Sequence, residues 1–325
     1  MAGRPEAPTH IVPAEEIMAR DEVLADILNI PAIQARLQDK RATLSYLART
    51  GLISNQMTCE RFDRECRLNA CNDRSDGYVW RCVQCRNRIS VRRDSFFSKS
   101  HVPLEDLVFL VYLWCEDVSL EFIQKHTNVS RHTACAWTNF LREVCSLYEI
   151  DHFEQLGGFD EGGNPIIVEV DESKYSHRKY HRGQWREGHW VLGAIKRRSN
   201  RCVLREVESR DRETLEPIIQ EWCLPGTHIM TDGWAAYNQL HTVGDGVYLH
   251  DVVIHEHRFV DPVHRDVHTN GIEGLWMHAK RKLRRPFGTY RELFPGYLDE
   301  FMFRWNSNAD MFAHLLIAIR EQYPV

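Results

Sequence analysis

The sequence has no window approaching eighteen consecutive apolar residues, and its opening residues, MAGRPEAPTH, lack the basic-then-apolar pattern of a secretory leader. The expectation is a soluble, intracellular chain with no membrane partner. Internal repeats, heptads sustained over several turns and low-complexity tracts beyond the first residues are also missing, which excludes solenoids and long coiled coils. A surplus of positive charge is absent too. With 41 Lys and Arg against 46 Asp and Glu, the formal net charge is -5, which argues against a protein that coats nucleic acid indiscriminately.

What is present is unevenly placed. Basic residues cluster in KYSHRKYHRGQWR from Lys174, IKRRSNR from Ile195 and HAKRKLRR from His278, so DNA contact is expected through local patches. Five of the ten cysteines crowd between Cys59 and Cys85. In a reducing compartment such crowding points to metal rather than disulfides. At 325 residues, the chain is long enough for two or three domains with substantial cores.

Helical spacing in EEIMARDEVLADILN and IPAIQARLQDKRATLSYLART predicts an N-terminal helical segment over 1–55. Over 56–98 the composition turns to cysteine, arginine and turn residues, with YVWRC and ISVRR reading as short strands of a small metal-stabilised ribbon. Residues 99–150 read as three helices with short connections, started by Pro103, Ser119 and the turn at 128–130. In the third, Ala134, Trp137, Leu141 and Val144 form the apolar face, leaving Arg131, His132, Asn139 and Arg142 outside as a recognition helix would.

From 160 to 325 the pattern is three β-rich runs, a helix, a short strand, a short helix, a fifth strand and a long basic helix. That order predicts an α/β ribonuclease-H-like domain: a mixed five-stranded sheet with helices, preceded by the ribbon and a helix-turn-helix. Asp171 closes the first strand, Asp232 the fourth, and Glu273 lies early in the last helix. Carboxylates are hard-oxygen ligands, and two divalent ions about 3.5 to 4 Å apart can serve phosphoryl transfer with little covalent help from protein. Taken singly, each has a blander reading: a solvated turn Asp at a strand end, or a first-turn Glu favoured by the helix N-terminus.

Seven residues beyond Glu273, Lys280 falls two helical turns along on the same face, and with Arg281, Lys282 and Arg284 it could contact phosphate. The plain alternative is a solvated basic face. Asn270 and His268 could support the metal or bind it, although capping the helix suffices to explain Asn270. Lys174 opens a basic tract with interleaved aromatics, read as a DNA-contacting hairpin against an ordinary solvated one. Trp185, Trp190, Trp234 and Trp276 could stack on an extruded base, whereas most large aromatics are core.

Together VEVDESKYSHRKYHRG, HIMTDGWAAYNQL and HTNGIEGLWMHAKRKL resemble the Merlin superfamily of cut-and-paste transposases and their bacterial insertion-sequence relatives, over roughly Met57 to Asn308. The resemblance implies a triad at Asp171, Asp232 and Glu273 holding two Mg2+ (or Mn2+) ions, with Asp171 shared between them, and a basic residue at Lys280. It implies a DNA transposase that cleaves terminal inverted repeats and joins the 3′ ends to target DNA. Its partner would be double-stranded DNA, its assembly a homodimer or higher oligomer, and its location the nucleus in a eukaryotic host. Upstream, DGYVWRCVQCRNRISVRRDSFFSKSHVPLEDL resembles the end of the family's zinc ribbon and the helical DNA-binding part. There the chain departs from the family, because Phe62 stands where the second cysteine of a first C-x-x-C pair would fall. A four-thiolate zinc site then needs two of Cys59, Cys66 and Cys71 to join Cys82 and Cys85, with Cys59 and Cys66 the chosen pair; otherwise these are small buried apolar residues. A non-catalytic, domesticated DNA-binding protein is the alternative function.

Overall fold

The computed structural model describes residues 6–175, 188–253, 268–283 and 291–325. Arg284, Trp185 and the tract after Tyr175 lie outside them. The chain forms two compact units, one of residues 1–144 with 307–325 and one of residues 145–306. No helix among the described residues is long and apolar enough to cross a membrane.

In the first unit, α1 (Arg20–Ala25), α2 (Ile30–Arg36) and α3 (Lys40–Arg49) precede an antiparallel meander. Asn29 and Asp39 start the latter two helices, each accepting a backbone N–H from three residues on. The meander is β1 (Thr58–Cys59), β2 (Arg64–Ala70), β3 (Tyr78–Cys82) and β4 (Arg88–Ser90). β2 has little β character in sequence, yet Cys66 and Leu68 alternate inward along it. Beneath the meander, the buried Arg92 guanidinium pairs with Asp76 and donates to the carbonyls of Ser100 and Val102 at 3.0 and 2.7 Å. Those bonds satisfy a charge that would be costly to bury alone.

Next come α4 (Leu104–Cys115), α5 (Leu120–His126) and α6 (Arg131–Asp151), whose last turns belong to the second unit. The expected face of α6 is buried: Ala134, Trp137, Leu141 and Val144 are all at most 5% exposed, while Arg131 and His132 are exposed and Arg142 is half-buried.

The second unit contains β5 (Leu156–Gly157), β6 (Ile167–Tyr175), β7 (His189–Lys196), β8 (Cys202–Val207), α7 (Arg212–Trp222), β9 (Cys223–Leu224), β10 (His228–Asp232), β11 (Leu249–Val253), α8 (Asn270–Leu283) and α9 (Phe294–Asn306). The main sheet runs β11-β10-β6-β7-β8. β6, β7 and β8 are antiparallel neighbours, whereas β10 and β11 run parallel to β6. This order and polarity are those of the ribonuclease-H-like fold, as the order of elements in sequence predicted. One face of the sheet presents Val168, Val170, Leu192 and Ala194 to Ile219 and Trp222 of α7. The other presents Tyr175, Val191 and Ile195 to Ile272, Leu275 and Trp276 of α8 and Leu298 and Phe301 of α9. Strand alternation therefore assigns Glu169, Asp171 and Tyr175 to the α8 face.

The last helix, α10 (Met311–Gln322), corrects the expected domain boundary. It packs on α1 and α4 in the first unit, where Tyr112 meets Phe312 edge-on and Arg320 donates to the carbonyl of Met18 at 2.9 Å. The sheet-bearing unit thus ends at 306 rather than 325 and begins within α6 rather than at 160. An apolar helix reads the same from sequence whichever core it covers.

Candidate functional site

Asp171 sits on β6 opposite Gly193 of β7. The β6–β10 ladder runs to the pair Glu169 and Met230, and two residues further along each strand are Asp171 and Asp232. Parallel strands at about 4.8 Å spacing therefore place the two aspartates on adjacent strands, just past the last paired positions. Asp232 ends β10, but Asp171 lies in the middle of β6 rather than closing it as the sequence suggested, because pairing with β7 carries the strand on to Tyr175. Asp232 accepts the backbone N–H of Trp234 at 2.9 Å, which closes the turn leaving β10.

Asp171 is mostly buried, and its carboxyl is pushed up to about 7. Burial is the main cause; the indole N–H of Trp276, donating to Oδ2 at 2.9 Å, opposes it, while neighbouring Glu172 and Asp232 raise it again. Gly193 makes this contact possible, since a Cβ there would lie 2.5 Å from the Trp276 ring. Trp276 is only 5% exposed and belongs to the core, so the structure assigns it to Asp171 rather than to a base.

Glu273 precedes Trp276 by three residues on α8, hence on a neighbouring part of the same helix face. It is exposed, with Thr269 Oγ1 3.4 Å from its Oε1. The carbonyl of Thr269 accepts from the Glu273 N–H, so Thr269 occupies the cap position expected of Asn270, which lies within the helix. His268 Nδ1 is 3.1 Å from an Arg197 nitrogen. Lys280 is exposed, with its ammonium over the Tyr175 ring at 5.8 Å, and Arg281 is exposed beside it. Lys282 departs from the expectation: its ammonium lies 3.4 Å from buried Glu300, which Arg304 also holds. It therefore ties α8 to α9 instead of facing phosphate.

Beside the aspartates, Glu172, Arg210 and Tyr237 carried no sequence signal of their own. Glu172, on the opposite sheet face, accepts from Tyr237 Oη and lies 3.2 Å from Arg210. Burial and then Asp232 raise its carboxyl, against the Tyr237 hydrogen bond. The Arg210 guanidinium lies over both Trp190 and Trp234, at 3.9 and 4.3 Å. Exposed Lys174 lies over the Trp190 ring at 5.1 Å, and Trp234 keeps 38% exposure. The result is a cation–aromatic stack adjoining the carboxylates, built from residues up to 60 positions apart whose association only the fold reveals.

The first unit holds a separate sulfur site. Cys59, Cys82 and Cys85 place their Sγ atoms within 4.8 Å of one another, the one such ligand group among the described residues; Asp171, Asp232 and Glu273 are not gathered that closely. Cys59 and Cys85 are 3.7 Å apart. Tetrahedral zinc with bonds of about 2.3 Å requires sulfurs about 3.8 Å apart, so this spacing fits. The backbone N–H groups of Cys85 and Gln84 favour the Cys82 thiolate, lowering its value to about 7. Cys66 pairs with Cys82 across β2–β3 and is fully buried, with burial and then the other three sulfurs pushing it up to about 11, but it lies outside the close group. Cys71 donates to Asp73 at 2.6 Å and lies near Arg88, apart from the cluster.

Residues 157–306 match the ISXO2-like transposase domain. An uncharacterized transposase-like protein of Haemophilus influenzae is 33% identical over 95 residues, covering 29% of this chain and 72% of that protein. The male abnormal protein mab-31 of Caenorhabditis elegans is 30% identical over 118 residues, or 34% of this chain, but this spans only 28% of the nematode protein. Among solved structures, the HTLV-2 integrase catalytic core domain in complex with magnesium aligns over 42% of this chain and 82% of its own, at 14% identity and a TM-score of 0.29. A simian T-cell lymphotropic virus intasome in complex with a PP2A regulatory subunit aligns over 44% and 49%, at 14% identity and 0.27. Strand order, not these alignments, carries the fold assignment. The matched domain spans the sheet and α8 together, and with it the bacterial relative covered over most of its length: the chain belongs to the ISXO2-like family of DDE transposases.

Proposed function

We propose that this chain is a metal-dependent DNA transposase of the Merlin type, cleaving terminal inverted repeats and joining the freed 3′ ends to target DNA. The observation that carries the reading is Asp171: a mostly buried carboxylate in the middle of β6, near enough to Asp232 on the neighbouring strand to be raised by it, and clamped by the helix that bears Glu273. Neighbouring carboxylates that repel one another, as Asp171 and Asp232 do, suit a divalent cation, and their hard oxygens suit magnesium or manganese. Bound between such groups, two divalent ions can activate an attacking oxygen and stabilise a leaving one.

The protein's part is to hold the ligands still. Trp276 fixes one oxygen of Asp171, and the Trp234 amide orients Asp232. Glu273 supplies the third carboxylate from α8, while Lys280, Arg281 and Lys174 offer cations to the DNA backbone around them. In the first unit, α5 and α6 serve as a helix-turn-helix with Arg131 and His132 outward, and Cys59, Cys82 and Cys85, with Cys66 as fourth ligand, hold zinc. Pairing two transposon ends calls for a dimer or larger assembly, acting in the nucleus of a eukaryotic host.

The test is cleavage and joining of labelled terminal-repeat DNA, alongside nicking of a supercoiled plasmid, with Mg2+ or Mn2+. Wild type should act on both, and Asp171→Asn and Glu273→Gln should act on neither. Tight repeat binding by wild type without cleavage in either metal would instead identify a domesticated DNA-binding protein.

A further inference from the structure

Glu169 lies two residues before Asp171 on the same face of β6, yet it is only 1% exposed. Its carboxylate is bonded on both oxygens. Oε2 accepts the backbone N–H of Ile272 at 2.9 Å, and Oε1 accepts from Arg197, with Nε at 2.9 Å and Nη2 at 2.8 Å. Arg197 also donates to the carbonyl of His268 at 2.8 Å. Gly271 follows from the same packing, because a Cβ there would lie 2.8 Å from Glu169 Oε2.

Ile272 stands third after the cap residue Thr269, so its N–H is among the helix-start donors that have no partner within the helix. A side chain from the cap residue commonly fills that role. Here a strand does so, 103 positions away in sequence.

The spacing gives this bond a second meaning. Along β6, Glu169 and Asp171 are about 6.6 Å apart, at about 3.3 Å per residue. Along α8, Ile272 and Trp276 are about 6 Å apart, at about 1.5 Å per residue. The helix is therefore pinned to the strand at two matching points, Glu169 to Ile272 and Asp171 to Trp276. Glu273 falls between the pins.

We infer that Glu169, held by Arg197, is a positioning residue that sets Glu273 relative to Asp171 by capping α8 from the catalytic strand. The inference rests on the reading of Asp171 and Glu273 as metal-holding carboxylates. Metal ligands must be held to within about 0.5 Å, and loss of the groups behind them typically costs 10- to 100-fold in metal affinity or activity.

Manganese titration of the full chain by calorimetry, paired with hydrogen exchange over residues 268–276, tests it. Glu169→Ala should weaken manganese binding about 10- to 100-fold and speed exchange at the start of α8. In Glu169→Gln, whose amide oxygen can still accept from Ile272, both effects should be smaller. Because Glu169→Ala also strands Arg197, the double variant Glu169→Leu/Arg197→Met serves as the stability control, since apolar pairs often replace buried ion pairs without loss. It should recover the melting temperature but not the manganese affinity. Wild-type affinity and slow exchange in the double variant would overturn the inference. Manganese binding indifferent to Glu273→Gln would instead bring down the metal-site reading itself, and the inference with it; binding sensitive to Glu273→Gln but not to the Glu169 variants would sink the inference alone.

Discussion

Gly193 faces Asp171 across the β6–β7 ladder, and the space left by its absent side chain is filled by Trp276, the residue that hydrogen-bonds Asp171. Gly193→Ala would put a methyl 2.5 Å from the indole and 2.9 Å from Leu204. Trp276 has to move, and its N–H leaves the carboxylate. Overpacking of this kind costs about 1 to 3 kcal/mol, readable by urea unfolding. Metal-dependent nicking should fall by about tenfold or more, as expected when the group orienting a ligand is lost. Full activity with an undisturbed tryptophan emission spectrum would show that Trp276 does not fix Asp171.

The raised Asp171 carboxyl ties stability to pH. Its folded value of about 7 exceeds the unfolded value of about 3.9, so folding favours its protonated form. That stabilisation is complete below about pH 4 and disappears as pH rises through 7, a difference of up to about 4 kcal/mol at about 1.4 kcal/mol per unit. Asp171→Asn, neutral throughout, should remove this slope, gaining on wild type as pH rises from 4 to 8 in the absence of metal. Because protons compete with cations for the same oxygens, magnesium should raise the wild-type melting temperature more at pH 8 than at pH 6, and should do little for the variant. Parallel melting curves for the two proteins would refute the assignment.

Why Asp171 and Asp232 were legible and Glu169 was not comes down to range. An aspartate set after a run of apolar strand residues announces itself locally, as VEVDES and HIMTDGW both do, although only Asp232 ends its strand. Glu169 shares the first of these strings, but its reason for being buried lies in Arg197 and Ile272, which only the folded sheet and helix bring to it. Trp276 carried a half-signal, one turn beyond Glu273, that could equally mean core or ligand contact. β2 hid for another reason: in RECRLNA the inward residues are a cysteine, a leucine and little else, too thin a pattern to outweigh its charges.

The cysteine cluster makes a stoichiometric prediction. Native mass spectrometry of the full chain should find one zinc, lost in Cys59→Ser and in Cys85→Ser and retained in Cys71→Ser, because Cys71 is committed to Asp73. Cys66→Ser decides the fourth ligand. Its cross-strand pairing with Cys82 leads us to expect weakened zinc retention under a chelator. Zinc loss should also unfold the meander, since a small four-stranded sheet with few apolar residues depends on its metal. Retention of zinc after removal of both Cys59 and Cys85 would place the metal elsewhere.

Lys280 and Lys282 are two residues apart on α8 and should behave differently. Lys280 is exposed, with its ammonium over the Tyr175 ring, whereas the ammonium of Lys282 is 3.4 Å from Glu300, whose side chain is 5% exposed. If Lys280 neutralises a phosphate, Lys280→Ala should weaken DNA binding evenly across sequences and lower the slope of log affinity against log salt by about 1. Lys282→Ala should leave that slope alone and instead cost about 1 to 3 kcal/mol of stability, because buried Glu300 then keeps Arg304 but loses a charged donor. Fluorescence anisotropy across a salt series, with urea unfolding of the same samples, separates the two effects. An equal change of salt slope in both variants would mean that Lys282 leaves Glu300 for DNA, and that α8 presents its whole basic end to the backbone.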